Sequence, residues 1–145
     1  MSPSFLDSAG LSKPCRILVI EDITGVRERL VSTLRALGHT AVGAAGAHTP
    51  DDGKLELCIS GVVVATVRPS MFDAVFMDYN IESATENGGT LTEFFVAGNP
   101  QIRVIGMSSE SACNHRMVQL GALIGVRKRD IEHLVEESLR QARNH

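Results

Sequence analysis

The chain has no apolar run near the roughly 18 residues of a membrane span, and its opening segment, MSPSFLDSAGLSKPC, is not read as a signal peptide. Cysteine is scarce. Cys15, Cys58 and Cys113 are odd in number and widely spaced, which argues against a disulfide framework or a zinc site and points to a reducing cytoplasm. Positive charge is not in excess either: a net charge of −3 speaks against direct nucleic-acid binding, since a duplex normally needs a basic face. Tryptophan is missing and aromatics make up 4% of residues, but 43% are hydrophobic. A chain of 145 residues suits one domain that buries about two-thirds of its unfolded surface without help from disulfides or metals. Secreted, membrane and disordered classes are set aside on these grounds.

Residues 1–15 show no periodic pattern and read as a loose arm, with one domain over 16–145. Order begins at Arg16-Ile17-Leu18-Val19-Ile20, an apolar run of the kind buried on both faces of a parallel sheet, ending in Glu21-Asp22. From Thr24 the period becomes helical, with Val26, Leu30, Leu34 and Leu37 on one stripe and Gly38 just past its end. A second strand is expected over 40–44. Ala74-Val75-Phe76-Met77 leads into Asp78, and Ile102 to Met107 leads into Ser108-Ser109. Between these strands, Thr90 to Glu93 has capping-box spacing for a short helix with Leu91, Phe94 and Phe95 inward. A helix with Cys113, Met117 and Leu120 on one face follows, then a buried run over 123–126. Asp130 is placed to cap a last helix bearing Ile131, Leu134, Val135 and Leu139. Apolar runs alternating with helices give an α/β chain with a doubly wound, five-stranded parallel sheet.

Residues 46–72 break this rhythm. They stand where one helix would join the second and third strands, yet are several residues too many. Lys54 to Ile59 partly alternates, Ser60-Gly61 is a turn dipeptide, and Val62 to Val67 is β-branched, so a hairpin replacing or extending that helix is expected. The alternative is a long second helix with Leu55, Ile59, Val62 and Val63 inward.

In an open parallel sheet, ligands bind beyond the carboxyl ends of the strands, where strand order reverses. Those ends carry Glu21-Asp22, Asp78, Ser108 and Lys128. Crowded carboxylates repel one another, and a hard divalent cation such as Mg²⁺ relieves the repulsion. One carboxylate can then attack phosphorus, while Lys128, Ser108 and a backbone N–H offset the charge on the transferring group. His39, His48, His115 and His133 have no ligand spacing and are read as surface residues.

The four motifs Ile17–Asp22, Val75–Asn80, Val104–Ser109 and Gly121-Ala122 with Lys128 resemble, in order and spacing, the response-regulator receiver domain of two-component signalling. The resemblance spans about residues 16–143 and implies the flavodoxin-like receiver fold of a stand-alone regulator. It further implies that Glu21 and Asp22 place Mg²⁺, that Asp78 is the phospho-acceptor, and that the Asn80 carbonyl completes the metal site. Ser108 matches the switch hydroxyl, Lys128 the lysine that pairs with the phosphoryl group, and Gly88 with Leu91 a Gly-x-x-Leu after the acceptor loop. The chain departs from the family at four places. Glu82 and Arg129 stand where prolines are usual, Gly125 stands where the switch aromatic belongs, and the loop from Asp78 to Gly88 is about two residues long for the family.

The function so implied is acceptance of a phosphoryl group from a phosphohistidine, on a sensor histidine kinase or a phosphotransfer protein. It is a signalling role rather than an enzymatic one, read out by a downstream protein target. A hairpin over 46–72 would add an edge able to dock a partner or a second copy, as in a homodimer. A receiver-like docking module that needs no phosphorylation is the alternative, favoured by the missing aromatic and proline. An aspartate-based phosphohydrolase is disfavoured, because Asn80 stands where a second aspartate is wanted.

Overall fold

Alternation along the strands decides how the molecule is layered. In the computed structural model, which describes residues 3–50 and 52–144, Arg16–Ile20 forms β1, Thr40–Ala44 β2, Ala74–Asp78 β6, Arg103–Ser108 β7 and Ile124–Arg127 β8. These five pair in parallel in the order β2-β1-β6-β7-β8. Successive side chains point to opposite faces. Ile17 and Val19 of β1 therefore join Phe76, Ile105 and Met107 in one core layer, while Leu18 and Ile20 join Val75, Met77 and Val104 in the other. Strand order reverses between β1 and β6, which opens the crevice at their carboxyl ends.

The first layer is covered by α2 (Thr24–Ala36) and α5 (Lys128–Arg143), through Leu30, Leu34, Ile131 and Val135. A short N-terminal helix, α1 (Phe5–Ser8), lies on the same side. The sequence reading of residues 1–15 as a loose arm is corrected over these residues. Ser4 and Asp7 close a capping box, and Leu6 and Leu11 enter the core. A single helical turn is too short to show periodicity in sequence; packing against α5, not propensity, holds it.

The second layer is covered by α3 (Gly88–Gly98), α4 (Ser111–Gln119) and a small antiparallel sheet of β3 (Gly46–His48), β4 (Leu55–Ile59) and β5 (Val62–Val67). The hairpin expectation holds and the long-helix alternative does not. Ser60 and Gly61 both have positive φ, 51° and 77°, as the two-residue turn matched to strand twist demands. Leu55, Leu57 and Val67 bury themselves where a helix would have lain. β3, with three residues, is too short to leave a pattern and was not expected.

Five local expectations shift. α3 begins at Gly88 with Asn87 as its cap and Thr90 as the reciprocal partner, not at Thr90 with Glu93. The run 123–126 is not buried throughout, because β8 is an edge strand: Leu123 and Ile124 are exposed and Val126 is covered. α5 begins at Lys128, so Asp130 lies in its first turn, where a carboxylate favours the helix dipole without capping it. On α4 the buried residues are Asn114 and Met117, with Cys113 only half-covered. His39 is buried rather than on the surface, and its Nδ1 accepts the Cys15 N–H at 3.0 Å.

Candidate functional site

Glu21 and Asp22 follow β1, Asp78 ends β6, Ser108 ends β7, and Lys128 opens α5 directly after β8. The parallel register of β1 with β6 brings the two acidic ends together. Oxygen atoms of Glu21, Asp22 and Asp78 all lie within 4.8 Å of one another. The Lys128 ammonium reaches into this group, 2.9 Å from Glu21 Oε2, 2.9 Å from Asp78 Oδ2 and 3.6 Å from Asp22 Oδ1. The side chain of Ile23, the N-cap of α2, caps nothing, and its N–H donates to Glu21 Oε2 at 3.4 Å.

Burial differs sharply within the cluster. Glu21 is fully buried, Asp78 nearly so, and the Asp22 side chain is 44% exposed. Burial, then the neighbouring Asp78 and Asp22 carboxylates, push the Glu21 carboxyl up to about 9, against the opposing pull of Lys128. Burial also raises Asp78, with hydrogen bonds from Glu21 and Lys128 working the other way. For Asp22 burial is outweighed by its hydrogen bonds to Glu21 and Asp78 and by the Lys128 charge, so it stays below the usual carboxylate range. Lys128 is held above the ordinary lysine value: burial lowers it, but the carboxylates of Glu21 and Asp78 raise it more. Burial thus pushes both Glu21 and Asp78 up, while the Lys128 ammonium pulls both down.

Glu21 Oε1 is buried and has no hydrogen-bond partner. A buried acceptor left unmatched normally costs about 1–3 kcal/mol. With two further carboxylates beside it, it belongs to a donor set of hard oxygens that could hold a metal ion, the ligand chemistry that Mg²⁺ takes.

The other expected residues take their places around this centre. Ser108 is buried, and its hydroxyl accepts the Glu110 N–H at 3.1 Å. Asn80 is exposed, two residues beyond Asp78. Gly88 is forced by close approach: a Cβ there would stand 2.3 Å from the Asp78 carbonyl oxygen, and the Gly88 N–H donates to the Tyr79 carbonyl at 2.8 Å. Leu91 is buried behind it.

The roles of three residues here escaped the sequence reading. Arg27 is buried, and its Nη1 donates to the Glu21 carbonyl at 2.8 Å, fixing the backbone that presents the acid. Its signal is an arginine on the same helical stripe as Leu30, Val31 and Leu34. Asn114 donates through Nδ2 to the carbonyls of Ser108 and Val126, both at 3.1 Å, and so ties β7 to β8 behind the site. Glu82 accepts the N–H groups of Ser60, at 2.9 Å, and of Gly61. Its own N–H donates to the Ala45 carbonyl at 3.0 Å.

Solved structures share this architecture. The BeF3-activated DrrB receiver domain matches with a TM-score of 0.61 at 13% identity, over 92% of this chain and 100% of that one. A CheY-like response regulator receiver domain protein from Methanospirillum hungatei JF-1 matches with a TM-score of 0.58 at 16% identity, covering 91% and 98% of the two chains.

The chain has the receiver-domain fold.

Chemotaxis protein CheY4 of Vibrio cholerae agrees, with a TM-score of 0.58 at 12% identity over 89% of this chain and 98% of that one. No protein-family model matches the sequence, and no curated protein does. Within the receiver fold, the departures noted in sequence acquire physical causes. The loop over 79–87 is long because it packs on the added sheet. A Cβ on Gly46 would stand 1.7 Å from the Glu82 carbonyl oxygen, and Thr49 donates to Glu86 at 2.9 Å. At Glu82, where the resemblance expects a proline, the carboxylate holds the hairpin turn.

Proposed function

We propose that this receiver domain, residues 16–145, accepts a phosphoryl group on Asp78 from the phosphohistidine of a sensor kinase or phosphotransfer protein, with Mg²⁺ bound by Glu21, Asp22, Asp78 and the Asn80 carbonyl. The observation that carries the reading is the convergence of Lys128 on Asp78 and Glu21, at 2.9 Å each, within a cluster of three carboxylates. An Asp78 oxygen forms the bond to phosphorus, the phosphorus–nitrogen bond breaks, and the histidine leaves as imidazole. The product is an acyl phosphate. Mg²⁺, when bound, offsets charge on the phosphoryl oxygens. Lys128 holds its ammonium beside Asp78 and supplies the second positive contact, and Ser108 offers a hydroxyl at the neighbouring strand end. The modified domain then signals by changing its affinity for a protein partner.

Intact mass after incubation with acetyl phosphate, with and without Mg²⁺, tests this. The expected result is a gain of one phosphoryl mass that requires Mg²⁺ and is lost in Asp78→Asn. An unchanged gain in Asp78→Asn would remove the site assignment.

A second reading, docking without phosphorylation, is favoured by the packing behind the site. Asn114 lies over Gly125, where receivers that signal through a switch aromatic need that ring. No mass gain under any condition, together with no Mg²⁺ binding by calorimetry, supports that reading instead.

A further inference from the structure

The added sheet ends in a strand that nothing in the described residues covers. β5 is an outer strand of the β3-β4-β5 sheet, and its Val62, Val63 and Val64 are 62%, 46% and 52% exposed. Residues 62–67 contain no charge and no proline, two of the devices that blunt an edge strand; the register with β4 shifts at Val64, between the Leu57 and Cys58 pairs. Beside β5 a groove of about 430 Å³ opens between the two sheets, lined by Val42, Leu57, Val64, Val67, Met71 and Phe72. Val42 and Met71 at its mouth are themselves exposed. Unpaired backbone groups next to apolar side chains make a template for one more strand.

Charge at the two ends selects which strand. Exposed Arg68 follows β5, its Nη1 donating to the Asp52 carbonyl at 2.9 Å. The turn at the other end, Ser60–Gly61, holds the Glu82 carboxylate. β5 is therefore apolar along its length, with the Arg68 guanidinium at one end and the Glu82 carboxylate at the other. A second β5 set antiparallel, about a two-fold axis at the Val64 pair, puts Arg68 of each copy opposite Ser60 of the other, beside that copy's Glu82. Symmetry repeats this attraction at both ends, whereas a parallel copy would stack like charges. We infer that β5 is a self-association surface, on which a second copy of this chain pairs antiparallel and joins the two small sheets into one. The surface consists of β5 and its ends alone and does not depend on phosphorylation of Asp78.

Sedimentation velocity on the full chain at concentrations up to about 1 mM, the weak end of specific association, tests this. The wild type should sediment as a dimer, and Val64→Lys as a monomer with an unchanged far-ultraviolet circular dichroism spectrum. Arg68→Glu should raise the dissociation constant at least about tenfold, because like charges then meet twice. Under mild oxidation Val64→Cys should give a disulfide-linked dimer by intact mass, whereas Val118→Cys, exposed on α4, should not. A wild type that stays monomeric overturns the inference and leaves a strand from a different protein as the occupant. A dimer that persists in Val64→Lys overturns it as well.

Discussion

Asn114 lies so close over Gly125 that a Cβ on the glycine would stand 2.6 Å from Asn114 Cβ. The same asparagine binds the Ser108 and Val126 carbonyls, so α4 is seated directly on β7 and β8 behind the acidic cluster. Gly106, where a Cβ would meet Met117 Cε at 2.9 Å, completes the flat floor that allows this approach. The missing aromatic at position 125 is thus matched by a polar tie that takes its space.

Two substitutions probe that tie. Gly125→Ala should destabilise the fold by about 1–3 kcal/mol through overpacking. Asn114→Ala, which leaves the Ser108 and Val126 carbonyls without this partner, should cost about 1–3 kcal/mol. Urea denaturation midpoints measure both. Wild-type stability in Gly125→Ala would mean that α4 yields freely.

Stability should fall as pH rises through the neutral range in metal-free protein. The Glu21 carboxyl is raised from an ordinary 4.5 to about 9 in the fold, so between these values the native state holds a proton that the unfolded chain has released. Its contribution is fully present below about 4.5 and is lost as pH climbs toward 9. The slope approaches at most about 1.4 kcal/mol per pH unit. Glu21→Gln, which cannot ionise, should flatten the profile of denaturation free energy against pH; an equally steep profile in that variant would assign the dependence elsewhere.

Lys128→Met should slow phosphoryl transfer from acetyl phosphate by about 100- to 1000-fold, the usual cost of losing one preorganised charge contact. The mass-gain time course at fixed Mg²⁺ reads it out. A change of less than threefold would remove Lys128 from the proposed chemistry.

Glu82→Ala should loosen the added sheet and leave the parallel one intact. The carboxylate holds the Ser60 and Gly61 N–H groups, and charge-assisted hydrogen bonds contribute about 1.5–3 kcal/mol each in favourable settings. Amide hydrogen exchange should accelerate over β4 and β5 but not over β1 or β6. Uniform acceleration would show the two sheets to unfold as one unit.

How much of this was legible beforehand follows from the range of the forces involved. Strand and helix periods are local, so the five parallel strands, the helices that cover them, and the acids, serine and lysine at their carboxyl ends could be read along the chain. The Ser60-Gly61 turn could be read too, since positive φ selects its residues. What the chain alone did not reveal depends on residues far apart meeting in space. The α1 turn, with Leu6 and Leu11, is helical because α5 receives it, and β3 is a strand because β4 pairs with it. Glu82 is meaningful only once the loop over 79–87 crosses the hairpin turn, and Asn114 only once Gly106 and Gly125 lie beneath it. The order of charges at the strand ends was determined by the sequence itself. That Glu21 is buried with an unpartnered oxygen, and that Lys128 falls 2.9 Å from both Glu21 and Asp78, was decided by tertiary structure, because burial and distance arise from how the strands pack.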